Sequence, residues 1–237
     1  MAETAASLEL AIDTAGPVSS VALTSEGALL AELTWRTRTN HSAELIPAIE
    51  TVLAQAGRER EQIRVLFVDR GPGAYAGLRV GISTAMGLAL ALNAELLAAG
   101  RLELDAYPHA ASPGPICAIH QAGRGDLAWA VYATGSAAGL EELIAPRLST
   151  LDELVDAAPS HALFCGELAG LEAALRGRLP AARFAGPAAS LRRAAALAEL
   201  GWQRYRAGAR DNPLSVEPLY LREPAITRPK SAVAGTG

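Results

Sequence analysis

Leu8-Glu9-Leu10-Ala11-Ile12-Asp13-Thr14-Ala15-Gly16-Pro17-Val18-Ser19-Ser20-Val21-Ala22-Leu23-Thr24 is the stretch on which the fold turns. Residues 8–13 form a short apolar run that ends in an acid. Thr14-Ala15-Gly16-Pro17 reverses the chain, and 18–24 reads as a second strand. Glu26-Gly27 marks another turn before a third strand over 28–34, so three adjacent antiparallel strands are expected.

Beyond a polar loop, Leu45, Ile49, Val52, Leu53 and Ala56 recur at helical spacing, which predicts a helix over 42–55 with Gly57 as its stop. The near-continuous apolar run 63–68 predicts a strand covered on both faces. A glycine-rich loop, 70–76, leads into a second helix over 77–93, and 95–99 is a fifth strand. Three strands, helix, strand, helix and strand make an α/β layer. The pattern weakens after Gly100. Strands are expected over 116–120, 126–134 and 162–165, with helices over 151–157, 168–176 and 190–207. No solenoid repeat is present.

The chain has 237 residues, 50 % of them hydrophobic and 5 % aromatic, so one large domain or two small ones would be packed mainly by aliphatic side chains. A net charge of -4 argues against coating nucleic acid through the chain's own phosphate contacts. Lys230 is the only lysine, which excludes a phosphate-loop or Schiff-base lysine from the body of the chain. Cys117 and Cys165 form no framework, and the N-terminus has no basic or apolar leader. The apolar stretch 85–92 is too short to span a bilayer, so a cytoplasmic protein with no membrane contact is expected. His41, His109, His120 and His161 provide no helical metal pair, and no metal or cofactor is expected.

Two loops could carry chemistry. An acid at a strand end followed by a tight hairpin, Asp13-Thr14, can hold a cation's water shell while turn amides face phosphate; it can equally satisfy its own turn. Gly71-Pro72-Gly73 opens the second helix, where backbone amides could approach an anion or simply permit a tight connection. Asp13, Thr14, Gly71 and Gly73 are therefore the candidate nucleotide contacts. On the second helix Gly77, Gly81, Ala85 and Ala89 recur every four residues, a stripe that admits either a partner helix or the protein's own sheet. With Met86, and with Leu45 and Ile49 on the first helix, they form the candidate partner surface. No catalytic residue is assigned.

Leu10-Ala11-Ile12-Asp13-Thr14-Ala15 with Ser20-Val21-Ala22-Leu23, His41-Ser42-Ala43-Glu44-Leu45-Ile46-Pro47, Gly71-Pro72-Gly73 through Gly81, and Glu217-Pro218-Leu219-Tyr220-Leu221-Arg222 together resemble the bacterial TsaB (YeaZ) family. That family comprises noncatalytic relatives of TsaD in the biosynthesis of the tRNA modification threonylcarbamoyladenosine. The resemblance is strong over about the first hundred residues and weak over 104–212. It implies an actin-like, Hsp70-like α/β fold (the ASKHA fold) of two related lobes: 1–100, with a C-terminal helical segment of about 190–222 packing back on it, and a smaller lobe, 101–189. A disordered tail over 223–237 is expected. The resemblance also implies a scaffold that heterodimerises with TsaD, is joined by TsaE, forms homodimers in isolation and meets tRNA only through the complex.

Departures from the family pattern accompany these matches. Ala74-Tyr75-Ala76 stands where relatives have Ser-Phe-Thr, and Gln121-Ala122-Gly123 where they have Asp-Ala-Arg. Gly100-Arg101-Leu102-Glu103-Leu104-Asp105 replaces the Asn-His-x-x-x-His metal segment of TsaD-like proteins. A small-molecule kinase of the same superfamily and a metallopeptidase-like protein are the alternatives.

Overall fold

The computed structural model describes residues 7–37, 40–134 and 140–222. β1 (Leu8–Asp13), β2 (Val18–Ser25) and β3 (Ala28–Arg36) pair antiparallel through tight turns. α1 (His41–Ala56) follows, capped by the Asn40 side chain and stopped by Gly57 at φ 61°. β4 (Ile63–Asp69) then lies parallel to β1, and α2 (Tyr75–Leu92) returns the chain to β5 (Glu95–Ala99), parallel to β4. The strand order is β3-β2-β1-β4-β5.

After α3 (Arg101–Ala106) the same plan repeats. β6 (Ile116–Gln121), β7 (Leu127–Thr134) and β8 (Leu140–Ser149) are antiparallel. α4 (Leu151–Ala157), β9 (Leu163–Gly166), α5 (Glu172–Arg178) and the two-residue β10 (Arg183–Phe184) complete the second sheet, before the final helix α6 (Ala194–Arg206). Its order is β10-β9-β6-β7-β8, so counted within each lobe both sheets run third, second, first, fourth, fifth strand.

Alternation along the strands sends side chains to two covered faces. In the first sheet Leu8, Leu10, Ile12, Leu66 and Val68 pack with α1 and α2, while Ala11, Ala22, Val65, Phe67 and Leu97 pack with α6. In the second, Ile119, Trp129 and Phe164 meet α4 and α5, and Ala118, Ala130 and Cys165 meet α3. The helices between the repeats cross over. α3 follows the first sheet but packs on β6, β7 and β9, and α6 follows the second but packs on the strands of the first.

Several expectations are corrected. The helical segment expected over about 190–222 is confined to Ala194–Arg206. Leu191 and Arg193 are extended, and beyond Gly208 at φ 93° the chain runs irregularly back to bridge Leu96 at Asp211. The helix expected over 168–176 begins only at Glu172, because Gly170 adopts φ 79°. α3, β8 and β10 were not anticipated. α2 is long and apolar enough to cross a membrane by length and composition, although its face of Gly77, Leu78, Gly81, Ile82, Ala85 and Ala89 is buried in the chain. The expected tail from Glu223 lies outside the described residues.

Candidate functional site: a charged cleft between the lobes

The C-terminal ends of β1 and β4 bring Asp13 and Asp69 together below the Thr14–Pro17 turn. Asp13 Oδ1 accepts the Ala15 amide at 3.0 Å, and Asp69 Oδ1 accepts the Gly71 amide at 2.7 Å, so each acid organises the loop that follows it. Both are buried.

Between them sits a residue that the sequence reading missed. Arg192, on the extended segment entering α6, donates from Nε to Asp13 Oδ2 at 2.5 Å and from Nη2 to Asp13 Oδ1 at 3.2 Å. Its Nε is 3.7 Å from Asp69 Oδ2 and its Nη1 3.9 Å from Asp105 Oδ1. A second arginine, Arg101 at the start of α3, donates from Nη2 to Glu167 Oε1 at 2.5 Å and lies 3.5 Å from Asp105 Oδ2. Glu167, just past β9, also holds His120 Nδ1 at 2.9 Å and accepts the Gln121 amide at 3.0 Å. The 100–105 segment therefore supplies a guanidinium to the cleft.

Burial opposes charge on Asp13, but Arg192 outweighs it and holds that carboxyl below its ordinary value. Burial, aided by the Asp13 charge, pushes Asp69 well up, and burial likewise raises Asp105. For Glu167, burial is overcome by the His120 hydrogen bond and the Arg101 charge, which hold its carboxyl far below the usual range. The three aspartates in turn raise the pKa of Arg192 against burial.

The other candidate nucleotide contacts are engaged within the chain. Thr14 Oγ1 donates to Gly77 O at 2.7 Å, and the Ala74 amide donates to Ala15 O at 2.8 Å. A Cβ on Gly73 would stand 2.1 Å from Ala15 O. Gly71, at φ 98°, accepts from the Arg101 amide at 2.7 Å. The glycine loop is thus docked on the β1–β2 turn, and α2 begins without a side-chain cap. Among the described residues no group of three or more His, Cys, Asp or Glu could hold a metal ion.

The candidate partner stripe packs inward. A Cβ on Gly77 would lie 2.2 Å from Thr14 O, and one on Gly81 2.3 Å from Thr14 Oγ1. Leu45, Ile49, Ala85 and Ala89 are buried in the same core, with Met86 partly buried against it. The small residues admit the protein's own sheet. Ile46 on α1, and Tyr75 and Leu90 on α2, are large apolar side chains turned outward, 44 %, 44 % and 57 % exposed.

The two-lobed α/β architecture has solved counterparts. A Pseudomonas aeruginosa protein described as similar to peptidase YeaZ superposes with TM-score 0.76 at 24 % identity, covering 91 % of this chain and all of that one. An activator of the 2-hydroxyisocaproyl-CoA dehydratase from Clostridium difficile, with bound ADPNP, superposes at 0.54 and 11 % identity, covering 85 % and 96 % of the two chains. In sequence, the TsaB proteins of Bacillus subtilis and Escherichia coli are 31 % and 33 % identical over 137 and 125 residues. Those matches cover 58 % and 52 % of this chain and 59 % and 54 % of the relatives, so the chain spans a little more than half the length of the curated relatives it matches. The family described as TsaD, tRNA N6-adenosine threonylcarbamoyltransferase, matches residues 35–229.

The fold is therefore the actin-like, Hsp70-like α/β fold. The chain belongs to the TsaD family, on its TsaB/YeaZ branch.

Proposed function

We propose that this chain serves threonylcarbamoyladenosine formation in tRNA as a noncatalytic subunit, binding a TsaD-type catalytic protein in the cytoplasm and meeting tRNA and a TsaE-type ATPase through that assembly. The pathway is suggested by the TsaB relatives. The observation that carries the noncatalytic part is Arg192, whose guanidinium is spent on Asp13 and Asp69. Asp13 is the acid that could otherwise hold a cation's water shell beside phosphate.

The partner surface in this reading is the outer side of α1 and α2, where Ile46 and Leu90 are exposed, and the same side serves homodimers in the isolated chain. Leu45, Ile49, Gly77, Gly81, Ala85 and Ala89 anchor the helices from beneath.

Depletion of the protein, followed by mass spectrometry of tRNA nucleosides, tests the pathway: threonylcarbamoyladenosine falls, and an unchanged level overturns the proposal. Copurification tests the surface. Ile46→Glu and Leu90→Glu should each weaken capture of the TsaD-type protein at least about tenfold, as burying an unpaired charge at an interface does. Undiminished capture by both variants moves the interface elsewhere. Magnesium-dependent ATP turnover by the isolated chain would favour the kinase alternative.

A further inference from the structure

Beyond α6 the chain turns back along the first lobe. Asp211 bridges Leu96 of β5, and its Oδ2 accepts the Ala98 amide at 2.7 Å. Val216 packs against the first core, and the Leu219 amide donates to Arg70 O, just after β4, at 2.7 Å. The Tyr220 ring stacks on Tyr75 at the start of α2, with ring centroids 5.4 Å apart. Arg79 of α2 lies 4.2 Å over the Tyr75 ring and donates from Nε to Tyr220 Oη at 3.3 Å.

Two residues further on, the same segment reaches the second lobe. Arg222 pairs through Nη2 with Asp126 Oδ2, in the turn between β6 and β7. Residues 219–222 thereby close a cavity of about 140 Å³, whose other walls include Pro72 and Gly73 from the first lobe and His120, Ala128 and Leu148 from the second.

The two attachments are unequal. On the first lobe a main-chain hydrogen bond, a packed valine and an aromatic stack hold neighbouring residues of the segment, so none can leave alone. On the second lobe the only ion pair of the segment among the described residues is Arg222 with Asp126, whose side chains are 36 % and 32 % exposed. Water competes for a pair of that exposure, which shifts an equilibrium by no more than about fivefold.

We infer that residues 216–222 are a latch, seated on the first lobe and fastened to the second by Arg222, so that release of that one end opens the cavity beside His120 and lets the second lobe move away from the glycine loop. This goes beyond the proposed role in tRNA modification and does not depend on it.

The test is the separation of the lobes in the full chain, read between spin labels on Arg58→Cys and Asp156→Cys. Both positions are exposed, one in each lobe, while Cys117 and Cys165 are buried and escape labelling. Excess unlabelled protein confines the reading to distances within one chain. Arg222→Glu sets like charges opposite each other and should enlarge the longer-distance population at least about threefold; adding Asp126→Arg restores the attraction and should reverse that shift. An unchanged distribution in Arg222→Glu, or one that Asp126→Arg does not reverse, overturns the inference. Amide exchange at Leu219 should stay as in wild type when Arg222 is reversed; acceleration there would mean that the segment leaves both lobes together, and the latch fails. Should the labelled variants not fold, acylation of His120 by diethyl pyrocarbonate in the otherwise native chain decides. Arg222→Glu should speed it at least about twofold relative to His41 of the first lobe, and an unchanged ratio overturns the inference.

Discussion

Two glycines on one helix show how position decides what a residue contributes. Gly81 lies against Thr14, where an added Cβ would come within 2.3 Å of Oγ1, and that hydroxyl is fixed by its bond to Gly77 O. Gly87 is exposed with nothing within 4 Å of the same added atom. Gly81→Ala should therefore destabilise by about 1–3 kcal/mol through overpacking. Gly87→Ala should stabilise by up to about 1 kcal/mol, because glycine is the poorer helix former and no contact opposes the methyl. Urea melts of the two variants check the pair; equal signs would show that α2 is not seated on the β1 turn as described. The four-residue spacing was legible in the sequence, but which way the stripe faced was not. Small residues every four positions suit any close neighbour, and only the position of Thr14 identifies it.

Elements were legible in proportion to their apolar periodicity. β1, β5 and α4 coincide with expectation because each is an uninterrupted pattern bounded by turn or cap residues. β8 escaped notice because it is an edge strand whose Glu141, Glu142 and Leu143 face solvent, with Pro146 within it. α3 escaped because all six of its residues are buried, charged ones included, which leaves no polar face to reveal a period. Arg192 was invisible for a related reason: its partner Asp13 lies 179 positions away, and no local pattern marks an arginine as buried. The adjacent pair Arg192-Arg193 ahead of an alanine-rich helix was the available signal. The seating of α6 on the first sheet can be probed at Gly201, where a Cβ would meet the Phe67 ring at 2.3 Å. Gly201→Ala should cost about 1–3 kcal/mol. Phe67→Leu vacates part of the ring's space, so the double variant should lose at least about 1 kcal/mol less than the sum of the single losses. Strict additivity would mean that the helix contacts the strand elsewhere.

At the scale of the whole molecule, the sequence marked the first lobe in full but of the second only β6, β7, β9 and α4, because the repeat is one of strand order rather than of residues. The repeated order concentrates four carboxylates and two guanidiniums between the lobes, and these respond to pH in opposite directions. Asp69 has an ordinary value of 3.8 and is raised in the fold, first by burial and then by the Asp13 charge. Between those two values the folded chain holds a proton that the unfolded chain has released, so stability is fully present at low pH and falls as pH rises through the folded value. Glu167 runs the other way. Its ordinary value is 4.5, and it is lowered in the fold because His120 and Arg101 overcome the effect of burial, so its contribution is present above the ordinary value and is lost as pH falls. Asp69→Asn keeps an oxygen for the Gly71 amide but cannot titrate. Relative to wild type it should gain stability steadily as pH climbs above about 4. Glu167→Gln should show the reverse, with the wild type's advantage shrinking as pH drops below about 4.5. Urea midpoints for the three proteins, measured from about pH 3 to pH 9, separate the trends. Parallel curves for wild type and Asp69→Asn would mean that Arg192 neutralises both aspartates and that the cleft carries no retained proton.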